Sequence, residues 1–475
     1  MAKKVAIIGA GVAGMMAAYR AAEGGAEVDL YDKNPNIGRK FVYVPWDYCE
    51  LSHTGEIEDF MENYAHGAEF ISYSLEKFNN KELVKFLKDL GINTITSEDG
   101  VISPENGDSE LIQKAFYERL SEMGVSFCMS SKVQKILAKS KKIIGIYVHN
   151  LEKEYDKVIV ACGGAARPKL GGSEDGFKLA EELGHTVIDA KPAVSPVDTE
   201  ERLGKYLSGL KLPSVNVSVY SNQTKLMERS GSVLFTDHGL SGDTVLFLSG
   251  IISRLIENNK IELGIDIIPG ITREELERKL KSEASLSNRN SVGEALKKYI
   301  PEKMLPVLPR YCRIHSSKPM NHITNLERKG LILFLKDMRI TVKRVKPFFE
   351  AMYTSGGVDV VELNPKSMES KLIKGLYFCG EIMDVDGGVG GYNIHSAFAS
   401  GHIAGKSAAR GAKAKKAAAK KAENPAEDTS EKAKTSKKKK AARKKSAKKK
   451  TARKKKAAKK KSTGDDDNSS SKAVA

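Results

Sequence analysis

Cysteine is scarce in this chain and never clustered. Its 475 residues contain five, Cys49, Cys128, Cys162, Cys312 and Cys379, each isolated from the others. There is no CxxC and no Cys/His pair at zinc spacing, which excludes a disulfide framework, a structural zinc site and dithiol–disulfide chemistry. Isolated cysteines suit a reducing, cytoplasmic setting. Long apolar runs are also missing, and none approaches the roughly 20 residues of a membrane span. Val5 to Tyr19, behind Lys3 and Lys4, has the outline of a secretory signal peptide, but Gly9, Gly11 and Gly14 break it at a spacing with another meaning. No His pair has metal spacing; His315 and His322 read as surface or hydrogen-bonded core residues. Tryptophan occurs once, at Trp46.

Positive charge is abundant but confined. From Lys406 to the C-terminus there are 27 Lys and Arg against 7 Asp and Glu, a net charge of +20. The whole chain carries +18, so residues 1–405 carry −2. The body is therefore an ordinary near-neutral globular chain, long enough for a large core and more than one domain. The tail, residues 409–475, is rich in Lys and Ala and has no aromatic residue. It is expected to be disordered by self-repulsion, and base stacking is excluded as a binding mode. Its composition is similar to the lysine-rich tails of histone-like proteins. Three readings stand: sequence-independent nucleic-acid binding with nucleoid or chromatin association, a solubilising segment, and attraction to anionic membrane surfaces.

At the other end, Val5–Ile8 reads as a short buried strand. It runs into Gly9-Ala10-Gly11-Val12-Ala13-Gly14 and a stretch of good helix formers from Met15 to Glu23. This is G-x-G-x-x-G at a strand-to-helix turn. Gly9 permits the turn, Gly11 lets backbone approach a pyrophosphate, and Gly14 lets the helix pack on the strand, with the helix N-terminus facing the phosphates. A second strand, Glu27–Tyr31, ends in Asp32 and Lys33, and Asp32 stands where a ribose-binding acid belongs. The expected fold class is α/β, with a Rossmann-like dinucleotide-binding domain.

Two later segments bear on which dinucleotide. Val158 to Gly164 is an apolar run through Ala161 that ends in Gly163 and Gly164. Gly375 to Glu381 ends in Gly380 and Glu381, and is followed by the glycine-rich stretch Asp386 to Gly391. Together with the opening motif they resemble the three signatures of two-dinucleotide-binding-domain flavoproteins. In that pattern Glu381 holds the flavin's ribityl chain, and a helix from about Asn393 to Gly401 points its N-terminus at the flavin. There is no second G-x-G-x-x-G, so NAD(P)H is expected only as a transient electron donor.

More specific matches lie in Thr354 to Lys371, in Asp384 to Gly387, in Gly390-Gly391-Tyr392-Asn393, in Gly38-Arg39-Lys40-Phe41, in Gly163 to Pro168, in Gly172 to Gly176 and in Leu234 to Gly242. On these the chain resembles the BaiN-like and aminoacetone-oxidase-like FAD-dependent oxidoreductases, over about residues 3–408. The resemblance implies an FAD domain split into residues 1–190 and 346–408, around an insert at 191–345. Within the insert, Val215–Tyr220, Ile261–Ile267 and Leu331–Phe334 read as strands and Thr272–Ser285 as a helix. It also implies FAD contacts from Gly38, Arg39, Lys40, Asp384, Tyr392 and Asn393.

One segment departs from that family. After Phe41 it usually has a glycine-rich loop ending in Arg-Cys-Asn, close to the flavin. Here Val42 to Glu50 keeps only Cys49, and Trp46 or Tyr48 is expected near the isoalloxazine, restricting substrate access. The catalytic candidates are His395, as an acid or base at the start of the last helix, and Cys49, as a redox thiol. Their plain readings are a hydrogen-bonded helix residue and a small buried side chain. The expected function is an FAD-dependent oxidoreductase of a small molecule, with hydride passing through flavin N5. The alternative is a flavoprotein-derived protein, catalytically impaired, that binds nucleic acid through its tail. The oligomeric state is not legible.

Overall fold

The computed structural model describes residues 2–43, 49–286 and 290–411, all within one compact unit, Met1–Lys415. Trp46, Tyr48 and nearly all of the basic tail lie outside the described residues.

The unit has two hydrophobic cores. The first surrounds a five-stranded parallel sheet made of β1 (Lys4–Ile8), β2 (Glu27–Tyr31), β3 (Ser126–Cys128), β4 (Lys157–Val160) and β5 (Leu376–Phe378). The strand order is β5-β4-β1-β2-β3, and every pairing is parallel. As the central strand, β1 is covered on both faces, so Val5, Ala6, Ile7 and Ile8 are all buried rather than alternating. Helix α1 (Val12–Glu23) leaves the end of β1 and α2 (Tyr392–Ala408) closes the unit. The two helices pack backbone to backbone. A side chain on Gly401 would overlap the Ala13 carbonyl, and one on Gly405 the Ala17 carbonyl.

The second core lies in the segment between β4 and β5. Six strands close into a barrel: Val197–Thr199, Gly239–Ser241, Thr224–Phe235, Lys211–Ser221, Ile261–Asp266 and Met338–Val345, in that spatial order. Val217 faces Ile265, Val219 faces Leu263 and Leu263 faces Ile340, all fully buried. The expected strands around Val215–Tyr220 and Ile261–Ile267 and the helix near Thr272–Ser285 are all present. Leu331–Phe334 is instead part of a helix, Asn325–Lys336. A capping box of Thr324 and Glu327 starts it, and Leu331, Ile332, Phe334 and Leu335 are buried while Leu333 is exposed. Helical period therefore wins over a short apolar run.

The chain enters and leaves the barrel side by side, because Val187–Ala193 pairs antiparallel with Tyr353–Val358. Beside this ladder, Arg254 of the barrel-side helix Asp243–Leu255 donates to Ser355 Oγ at 2.8 Å and pairs with Asp384. Both features bring the barrel against the edge of the glycine-rich segments.

Candidate functional site

The β1–α1 turn is built by three constraints. Gly9 has φ +105°, and a side chain there would overlap the Ala161 carbonyl at the end of β4. The Ala10 amide donates to Asp32 Oδ2 at 2.8 Å, and the Asn34 amide to Asp32 Oδ1 at 2.8 Å. The Gly38 amide donates to the Ala10 carbonyl at 2.7 Å. Asp32 thus joins the ends of β1 and β2 as well as facing the cleft beside them.

That cleft encloses about 1430 Å³ and opens to solvent. Of the residues expected to bind cofactor, Gly9, Ala10, Gly11, Val12, Ala13, Asp32, Gly38, Arg39, Lys40, Ala161, Gly163, Gly164, Gly380, Glu381, Gly391 and Asn393 line it. Gly14 packs behind the turn, where a side chain would overlap the Gly9 carbonyl. Lys33 turns aside to Asp175 at 2.9 Å and to Ser173. Asp384 is taken up by Arg254 and the Gly356 amide. Tyr392 is buried between Phe60 and the stacked ring of His53. Lys33, Asp384 and Tyr392 therefore support the walls rather than line the cleft. Each follows its motif neighbours in sequence, but its side chain points to another partner.

Two neighbourhoods can be distinguished. Asp32, Asn34, Cys162, Gly171 and Gly172 surround the phosphate-loop end. No side chain caps α1, and no acidic residue occupies its first turn, so its free amides and positive dipole end face the cleft. A side chain built on Gly11 would meet no protein atom within 4 Å and would project into open space. In the other neighbourhood Lys40 pairs with Glu381 at 2.8 Å, and its ammonium sits 5.1 Å from the Tyr353 ring. Glu381 also accepts the Thr354 amide at 2.9 Å. Asn393 fixes the glycine-rich stretch by accepting from the Gly387 amide at 2.9 Å.

The two catalytic candidates do not fit that role. His395 is buried behind the cleft, with Nε2 2.8 Å from the Phe78 carbonyl and Nδ1 2.7 Å from Ser52 Oγ. A carbonyl only accepts, so Nε2 carries the proton and Nδ1 accepts from Ser52. Burial holds this imidazole down at about 4, so it is a neutral structural group at physiological pH. Cys49 does line the cleft, but burial, assisted by Glu50 and Asp108, pushes its thiol up to about 12. A thiol that keeps its proton is a poor nucleophile and a poor redox centre.

Sequence reasoning passed over Glu50, Arg167 and Tyr353, which line the same cleft. Glu50 accepts the Gly390 amide at 2.9 Å, and burial raises its carboxyl above the usual range. Burial also raises the Tyr353 phenol, helped by Glu381, Glu50 and Cys49. Arg167 donates to the Phe349 carbonyl at 3.2 Å. Glu50 was legible as the last residue of the departed loop, and Arg167 lies within the Gly163–Pro168 match; Tyr353 belongs to no motif and carried no signal.

Residues 3–407 match the family described as HI0933-like protein Rossmann domain. The chain belongs to this family. A curated relative, the 3-dehydro-bile acid Δ(4,6)-reductase of Clostridium scindens, is 28% identical over 86% of this chain and 99% of its own length. The ribosomal RNA dihydrouridine synthase of Haemophilus influenzae is 26% identical over 85% of this chain and 98% of that protein. Among solved structures, a 3-ketosteroid Δ4-(5α)-dehydrogenase from Rhodococcus jostii aligns with a TM-score of 0.47 at 14% identity, covering 86% of this chain and 97% of that one. The family is one of flavoprotein oxidoreductases, and the residues present fit FAD. The uncapped amides of α1, the open space beside Gly11 and the carboxylate of Asp32 match a pyrophosphate and a ribose. No helix among the described residues is long and apolar enough to cross a membrane.

Gly11→Val tests the cradle. The added β-carbon meets no protein atom within 4 Å, so the variant is expected to fold with a melting temperature close to that of wild type in the absence of FAD. It is expected to lose FAD on purification, and an equal flavin content would place the pyrophosphate elsewhere.

His395 generates a prediction about pH. Its folded value of about 4 lies below the usual 6.5, so the unfolded chain binds more protons between the two. Its contribution is full above pH 6.5 and is lost as pH falls towards 4, on the order of 3 kcal/mol. Urea unfolding of His395→Gln at a series of pH values is expected to show a shallower acid loss than wild type. His402, held down at about 3 by burial and Arg20, contributes to the slope that remains, as do His66 and His185, which burial also lowers. Identical slopes would remove His395 from this role.

Proposed function

We propose that the chain is an FAD-dependent reductase of carbon–carbon double bonds conjugated to a carbonyl group, with NAD(P)H as transient electron donor. The observation that carries this reading is the glycine-lined cleft, in which an uncapped helix end, an acid on β2 and the glycines of three signatures converge. The two relatives narrow the chemistry. One is named for reducing a 3-dehydro bile acid with Δ(4,6) unsaturation, the other for making dihydrouridine in ribosomal RNA. A 3-oxo-4,6-diene and a uracil share one feature, an alkene polarised by a carbonyl.

When bound and reduced by NAD(P)H, FAD would supply a hydride for the electron-poor alkene carbon. The protein's own contribution is placement. The amides of α1 and Gly11 hold the pyrophosphate, and Asp32 faces the ribose. Lys40 and Glu381 neutralise each other beside the ring-binding part, so neither charge competes with a neutral, planar substrate. Cys49 and Tyr353, each protonated, give that part an uncharged wall.

The test is anaerobic. NADPH or NADH is expected to bleach the flavin of the purified full chain. Addition of a 3-oxo-4,6-diene bile acid, a uridine-containing RNA or cyclohex-2-enone is then expected to restore the oxidised spectrum, with the alkene gaining two hydrogens. Failure of all three to reoxidise the flavin faster than buffer would sink the reading.

A second reading concerns the tail, whose +20 charge is attached to a near-neutral body. It binds nucleic acid without sequence preference, through counterion release. Because α2 runs to Ala408 and Ala409 is buried, the informative truncation ends at Gly411. The full chain is expected to bind duplex DNA or RNA with a steep salt dependence, and residues 1–411 to lose that binding and keep their flavin. Equal binding by both would move the nucleic-acid site into the body, and no binding by either would leave the tail a solvated appendage.

A further inference from the structure

Five groups able to carry a proton share the ring-binding part of the cleft: Lys40, Cys49, Glu50, Tyr353 and Glu381. Four are already committed. Glu381 and Lys40 are engaged with each other at 2.8 Å, and Glu381 also accepts the Thr354 amide at 2.9 Å. Burial makes Cys49 and Tyr353 hold their protons too tightly to release them near neutrality.

Glu50 is different. Among the described residues no Lys, Arg or His forms an ion pair with it. Its carboxylate is met only by backbone, with Oε2 accepting the Gly390 amide at 2.9 Å and the Gly391 amide donating as well. The other charges that act on it, Asp99 and Asp243, are of like sign. Two amides stabilise an anion without the fixed positive charge that would lock it in that state. The side chain is mostly buried yet lines the cleft, so its proton is shielded from bulk water and open to a ligand.

We propose that Glu50 is the proton donor of the reduction. The inference rests on the reductase reading. The electron-poor alkene carbon takes hydride, forming one C–H bond with the electron pair of the reduced flavin. The π pair shifts to the carbon next to the carbonyl, which takes the proton of Glu50. The O–H bonding pair stays on Glu50 as a carboxylate, which the Gly390 and Gly391 amides hold until solvent returns the proton. The alkene is reduced, the flavin is oxidised, and no further reactant is needed.

The experiment uses the full holoprotein, reduced with dithionite and mixed anaerobically with each of the three alkenes named above while flavin reoxidation is followed. In wild type the rate is expected to fall about tenfold per pH unit above one apparent pKa. Glu50→Gln is expected to lower the rate about 100-fold or more and to abolish that pH dependence, with dithionite reduction unchanged. Glu50→Asp, which keeps a carboxyl, should recover part of the rate with a displaced pH limb. Infrared difference spectra of wild type minus Glu50→Gln should carry the stretch of a protonated carboxyl at neutral pH.

Equal rates for wild type and Glu50→Gln, a flat wild-type profile from about pH 5 to about pH 9, or no protonated carboxyl in the infrared spectrum each overturn the role of Glu50 and leave the reductase reading standing. A wild-type protein whose reduced flavin none of the alkenes reoxidises overturns the reductase reading, and the donor role with it. If Glu50→Gln fails to hold flavin, the wild-type profile and Glu50→Asp decide the matter without it.

Discussion

The cleft depends on how closely α1 can approach its neighbours. Gly9 lies against Ala161 at the end of β4, Gly14 against the Gly9 carbonyl, and Gly401 and Gly405 of α2 against the backbone of Ala13 and Ala17. Each contact leaves no room for a β-carbon. Because three of the four contacts lie along α1 and the fourth ties the turn before it to β4, together they fix its axis relative to β1, β4 and α2. The free amides of its first turn are aimed by that packing and by no side-chain cap. A bound anion at this end would therefore meet a dipole already oriented, with little reorganisation left to do.

Buried carboxyl groups around the cleft differ mainly in what meets them. Glu381 faces Lys40, and Asp384 faces Arg254. Glu50 faces amides alone. Asp386, fully buried, leaves Oδ2 without a hydrogen bond, and its oxygen lies against the backbone of Gly250. Burial pushes it up to about 7, with Asp384 and Glu381 adding to the rise and Ser355 and Arg254 opposing it. Ion pairs thus hold the walls, while the groups lacking a close cation are those whose charge responds to pH. Glu381 and Glu50 both line the cleft, so the two carboxyls there differ in having a cation or only amides beside them.

The parts of this arrangement that the sequence made legible are those that depend on local backbone chemistry. The strand, turn and helix around Gly9–Gly14 follow from glycine spacing, and the two later signatures follow from apolar runs ending in glycine. The cores of the barrel strands follow from Val and Ile at alternate positions. Side-chain direction was less legible. Lys33, Asp384 and Tyr392 sit within motifs, yet their partners are Asp175, Arg254 and His53, residues remote in sequence. His395 follows the same rule, since Ser52 and Phe78 fix its role and neither belongs to a motif. Leu331–Phe334 failed for another reason: four apolar residues suit a strand or a buried helix equally, and only the Thr324–Glu327 box upstream decides between them.

A second set of contacts joins the two cores. Arg254 joins the barrel-side helix to Asp384 and Ser355 on the segments that return from the barrel. Arg229 of the barrel stacks 4.0 Å over Phe247 and donates to the Glu62 carbonyl at 2.9 Å, while Phe247 lies against Gly388 of the glycine-rich stretch. These contacts hold the barrel to the cleft at Gly388 itself, which lines it. The phosphate-loop end has no such contact with the barrel and is built wholly from the first core. Cofactor binding can therefore stay constant while barrel residues vary.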